Sequence, residues 1–147
     1  MTLNEAITTF QEAQHEFIGS LNTLPVAKQE QSGARGVWSP KDVIAHLTGW
    51  MQEAMRRYPR YALGTGDIKY NIDAYNALNV RLRRLHSYDA VLAEFHHVAD
   101  QWMAMANAVT LQQHEHDKRY AHWLTSLARE LREHGEQMAA FAKVTSS

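Results

Sequence analysis

The amino-acid sequence predicts an all-α fold, a four-helix bundle with one short extra helix between the second and third long helices. Three observations carry that prediction. Apolar residues recur at spacings of three and four through four long segments, the mark of helices with one buried face. Helix breakers are scarce, with seven glycines and three prolines in 147 residues. No stretch alternates apolar and polar residues between strand-type turns. Apolar residues make up 45% of the chain and charged residues 21%, a balance that supports one packed domain over residues 1–147.

The first helix is expected over roughly residues 2–22, where Leu3, Ala6, Ile7, Phe10, Phe17, Ile18 and Leu21 form a single stripe. Leu24-Pro25 and the polar segment QEQSGARG then read as a long connection. Ser39 offers the clearest helix start in the chain. Pro40 suits the first helical position, and Asp42 lies three residues after the cap, near the positive end of the dipole. Val37 or Trp38 is placed to staple onto Val43. The second helix is expected to run to about Arg57, with Val43, Leu47, Trp50 and Ala54 on one face and His46 at its flank. Pro59 and the Gly64-Thr65-Gly66 turn are expected to end it.

A short helix follows from Asn71, its apolar side given by Ile72, Tyr75, Leu78, Leu82 and Leu85. Ser87 caps a third long stripe of Val91, Leu92, Phe95, Val98, Ala99, Trp102, Met103 and Ala106. TLQQHEHD reads as a polar connection, and Asp117 as the cap of the last helix. There Trp123, Leu124, Leu127, Leu131, His134, Met138 and Phe141 follow a period suited to bundle packing.

Composition removes several function classes. The net charge of −1 provides no field for nucleic acid or an anionic membrane. The absence of cysteine removes disulfides, thiolate metal sites and a cysteine nucleophile. The opening MTLNEAITTF has neither a basic nor an apolar leader region, and no run approaches the ~18 apolar residues of a membrane span. A cytoplasmic protein is the expectation. Phosphate loops and dinucleotide fingerprints do not occur.

The nine histidines are the unusual supply. Glu130 and His134 stand four apart on the last helix, one turn along one face, with roughly 6 Å of rise between them. Such a pair can chelate a divalent ion with a ligand from a facing helix, and His46 is the candidate for that ligand. The same spacing fits an ordinary surface pair, and His46 alone fits a buried, hydrogen-bonded histidine. His114 and His116, with Glu115, sit in the polar connection and read as solvated. His96 and His97 split across adjacent faces. Arg56, Arg57, Arg60, Arg81, Arg83 and Arg84 interleave with Tyr58, Tyr61, Tyr70 and Tyr75. They fit either a pocket for an anionic or aromatic ligand or a solvated arginine face.

The segment WSPKDVIAHLTGW (residues 38–50) resembles the second-helix motif of the DinB/YfiT-like superfamily. YNIDAYNALNVRLRRLHSYDAVLAEF resembles the segment that follows, with its Asp73-x-x-Asn76 element, and ARELREHGEQMAAF resembles the closing helix. The chain is also similar to the ClbS/DfsB-type bundle proteins through Gly49-Trp50. The resemblance implies an up-and-down-like bundle, often a homodimer, and in many members a nickel or zinc ion held by three histidines. Carried over, the first histidine is His46 and the last His134, while the middle position holds Glu130. Two histidines and a carboxylate are an accepted metal set. The resemblance thus implies a metal-dependent enzyme acting on a small molecule, thiol-transferase- or hydrolase-like. Its alternative is a metal-free, ClbS-like pocket protein that binds or inactivates a reactive small molecule.

Overall fold

The computed structural model describes residues 1–145. Four long helices form the bundle: α1 (Leu3–Leu21), α2 (Pro40–Ala62), α4 (Tyr88–Ala108) and α6 (Arg119–Lys143). Two short ones, α3 (Ile72–Leu82) and α5 (Leu111–His116), fill the connections. α1 packs chiefly on α6, and α2 on α4 and α3. Phe10, Phe17, Phe95, Trp102, Leu124, Leu131 and Met138 are fully buried between them. Phe10 meets Trp102 edge to face at 4.9 Å. Among the described residues, no helix is long and apolar enough to cross a membrane.

The caps expected at Ser39 and Ser87 form. Ser39 accepts the backbone N–H of Asp42, while Asp42 accepts that of Ser39, and Pro40 occupies the first turn. Ser87 caps α4 by accepting the N–H of Ala90. Val37 is exposed, so no staple forms there, and Trp38 lies instead against the His46 ring. The connection after α1 is tied down by Lys28, whose buried ammonium donates to the Phe141 carbonyl at 2.8 Å, at the negative end of α6.

Three expectations are corrected. α2 does not stop at Arg57 but continues through Pro59 to Ala62. Pro59 costs one helical hydrogen bond, yet Tyr58 and Tyr61 on either side of it are buried and anchored. The Tyr58 hydroxyl donates to the Tyr120 carbonyl, and Trp123 Nε1 donates to the Tyr61 hydroxyl, both at 2.7 Å. The helix ends at Gly64, whose φ of +78° suits glycine.

The second correction concerns α3. Ile72, Leu78, Leu82 and Leu85 are exposed, and Asn79 and Arg83 are buried in their place. Gly49 on α2 explains the rotation: a Cβ there would lie 2.2 Å from Asn79 Cγ, so the missing side chain makes the slot that Asn79 fills. Arg83 then donates to Asn79, to Gln52 on α2 and to Glu94 on α4. α3 is held by polar contacts, which apolar periodicity does not report.

Third, TLQQHEHD is no open connection. Thr110 and Gln113 form a capping box that starts α5, and His114 is buried rather than solvated. Asp117 precedes the N-cap of α6, which is Lys118, but its carboxylate still accepts the Arg119 N–H.

Candidate metal centre

His46 projects from the second turn of α2, and Glu130 and His134 from α6, all into one cleft between those helices. Their spacing places Glu130 and His134 on one face of α6, and the packing of α2 on α6 brings in the third side chain. Nε2 of His134 lies 3.1 Å from Oε2 of Glu130, and Nε2 of His46 lies 3.8 Å from the same oxygen. The imidazoles stand nearly perpendicular, with centroids 5.2 Å apart. One ligand atom from each residue falls within 4.8 Å of the others. Among the described residues no other histidines, aspartates and glutamates gather in this way.

The outward side of each ring decides which nitrogen faces the cleft. Asn76 on α3 has one side-chain oxygen that receives both Trp50 Nε1, at 2.7 Å, and His46 Nδ1, at 2.8 Å. An indole N–H can only donate, so this atom is the amide oxygen and His46 Nδ1 must donate to it as well. The His46 lone pair is therefore on Nε2, facing the cleft. Gln137 stands behind His134 in a similar way, its Oε1 lying 2.7 Å from Nδ1, and with Nδ1 as the donor the His134 lone pair is on Nε2 as well. His134 Nε2 is buried with no hydrogen-bond partner, because its approach to Glu130 is close but badly aligned. With a proton on each Nδ1, two imidazole lone pairs and a carboxylate face one another, an arrangement that a metal ion, or a proton on Nε2, relieves. The donor set and its outer hydrogen bonds fit a divalent ion.

Glu130 is not the buried carboxylate that an inward-facing position on α6 suggests. Its side chain is 45% exposed, against 2% for His134 and 10% for His46. It stands at the mouth of the site, where the cost of burial is small. When a proton rather than a metal ion is shared at the site, hydrogen bonding to His134, and next to His46, holds its carboxyl well below the usual carboxylate range, against the opposing effect of desolvation.

The three residues line a cavity of ≈ 410 Å³ walled by Trp38, Trp50 and Trp123 and edged by Asp73 and Arg129. A sequence profile of the DinB superfamily matches residues 9–138. The chain belongs to the DinB superfamily. No curated protein and no solved structure matches it.

The arginines and tyrosines of the inter-helix region divide. Arg57, Tyr61 and Tyr70 line a second cavity, of ≈ 530 Å³, that shares Trp50, Ile72, Trp123 and Ser126 with the first. Tyr58 is core, Arg83 belongs to the α3 anchor, and Arg56 bonds outward to Tyr75. Sequence reasoning assigned no role to Gln137, although its three-residue offset from His134 places it one turn along the same face. Asn76 was singled out only within a motif, since nothing in the spacing joins it to His46.

Proposed function

We propose that this chain is a divalent-metal-dependent enzyme acting on a small molecule, of thiol-transferase or hydrolase type, with His46, Glu130 and His134 as the metal ligands. One observation carries the reading: Nε2 of His46, Nε2 of His134 and the Glu130 carboxylate converge, while each Nδ1 lies within hydrogen-bond distance of a side-chain amide. Two nitrogens and an oxygen suit zinc or nickel and leave coordination positions open. When bound, the ion supplies Lewis acidity to a water, a thiol or a substrate oxygen. The protein's own part is to orient the imidazoles, to keep an ionised carboxylate at the cleft mouth and to shield the site with tryptophans. Elemental analysis of untagged protein, supplemented with zinc, nickel or manganese, tests this. About one ion per chain is expected; less than about a tenth rejects it.

A second reading is favoured by the 3.1 Å approach of Glu130 to His134. If a proton rather than a metal sits on Nε2, the pair is an acid/base couple in a metal-free pocket protein of the ClbS type. Chelation separates the two. EDTA lowers the melting temperature of the metal form and leaves the metal-free form unchanged. A cytoplasmic setting, a small-molecule substrate with neither nucleic acid nor membrane as partner, and a homodimer belong to the same proposal. The exposed Leu78 and Leu82 on α3 support the dimer, which sedimentation equilibrium checks.

A further inference from the structure

The second cavity holds a guanidinium with no carboxylate at ion-pair distance among the described residues. Arg57 on α2 is only 5% exposed, and its guanidinium donates from Nη2 to the Gly66 carbonyl at 2.9 Å. Among the described residues no carboxylate forms an ion pair with it. Glu53, one turn back on α2, is engaged by Arg56 at 2.9 Å and by the Tyr70 hydroxyl at 2.6 Å. Arg119, on the other side of the cavity, is compensated by Asp117 and Asp67, each at 2.7 Å. A buried guanidinium without a counter-ion is costly, and its planar fork matches a carboxylate.

The walls around Arg57 are flat. The Trp50 and Trp123 rings lie 6.3 Å apart and only 33° from parallel, too close to admit another ring between them, so they make one continuous wall. Tyr70 stands across Trp123 at 87°, closing a corner, and Tyr61 lies under the Arg57 guanidinium at 5.6 Å. Trp50 and Trp123 also border the cavity that holds His46, Glu130 and His134, so one elongated molecule can occupy both.

We propose that the second cavity is a subsite for an aryl carboxylate: the planar aromatic end of the substrate lies on Trp50 and Trp123, and its carboxylate pairs with Arg57. The assignment of the other, reactive end to the first cavity rests on the metal-dependent reading; the subsite does not. The single uncompensated guanidinium favours one negative charge over the two of a phosphate monoester.

The test titrates 2-naphthoate, its neutral counterpart 2-naphthylmethanol and 2-naphthyl phosphate into EDTA-treated wild-type protein by calorimetry. Naphthoate is expected to bind saturably, with the alcohol weaker by about tenfold or more. Arg57→Met removes that preference, and Arg57→Lys restores part of it. Should Arg57→Met fail to fold, intermolecular NOEs in the wild type still decide. Contacts from naphthoate to the indole protons of Trp50 and Trp123 support the subsite, and contacts elsewhere overturn it. Equal binding of acid and alcohol overturns it too, and so does tighter binding of the phosphate. Metal affinity, measured separately, keeps the two readings apart. Naphthoate binding without metal binding sinks only the metal centre, and the converse sinks only the subsite.

Discussion

The side-chain oxygen of Asn76 lies 2.8 Å from Nδ1 of His46, so a residue on the short helix α3 sets the tautomer of a candidate ligand on α2. The same atom holds Trp50, the wall shared by the two cavities, which makes α3 part of the site as well as part of the fold.

Removing either outer acceptor is expected to weaken the ion without removing a ligand. Asn76→Leu and Gln137→Leu should each lower zinc affinity by about ten- to a hundredfold, whereas His134→Ala abolishes binding. Competition with a chromophoric chelator measures this. Unchanged affinity in both leucine variants would show that the imidazoles are oriented by other means.

Gly49→Ala is expected to drive α3 off α2, because the new methyl falls 2.2 Å from Asn79 Cγ. The loss should be about 1–3 kcal/mol in urea unfolding. Asn79→Ala in the same chain relieves the clash, so the double variant should be less destabilised than the two single effects summed. Strict additivity would count against the slot.

In metal-free protein, acid should erode what Glu130 contributes. Its carboxyl titrates below its ordinary 4.5 in the folded state, so the unfolded chain takes up the proton first. The contribution is therefore complete above that value and is lost as the pH falls below it. Solvent screening of a half-exposed group keeps it under about 1 kcal/mol. The difference in unfolding free energy between wild type and Glu130→Gln should shrink from pH 6 towards about pH 3. A difference independent of pH refutes the pairing.

Pro59→Ala should stabilise the protein by about 1 kcal/mol, since Pro59 is exposed inside α2 and alanine returns the missing N–H. Thermal denaturation followed by circular dichroism reads the shift. A lower melting temperature would mean that the proline is needed to seat Tyr61.

Much of the bundle was legible because its signals are local. Apolar stripes at helical spacing located α1, α2, α4 and α6, and Ser39 and Ser87 marked two starts through hydrogen bonds that span three residues. The Glu130–His134 pair was legible for the same reason: a helix turn converts a spacing of four into a shared face. Where burial is polar, the pattern misled. Asn79 and Arg83 sit inside because Gly49, Gln52 and Glu94 wait for them on other helices. The helix in the segment around His114 was missed because its capping box lay inside what read as a polar loop.

By itself, then, the sequence determined that four amphipathic helices form and which face of each seeks the core, since both follow from contacts within a few residues. Only the tertiary structure decided that His46 meets Glu130 and His134 with its Nε2 edge forward, and that Arg57 is buried with no ion-pair partner among the described residues. Those facts depend on groups brought together from distant parts of the chain. Their energies come from packing and desolvation that exist only once α2, α3 and α6 have closed on one another.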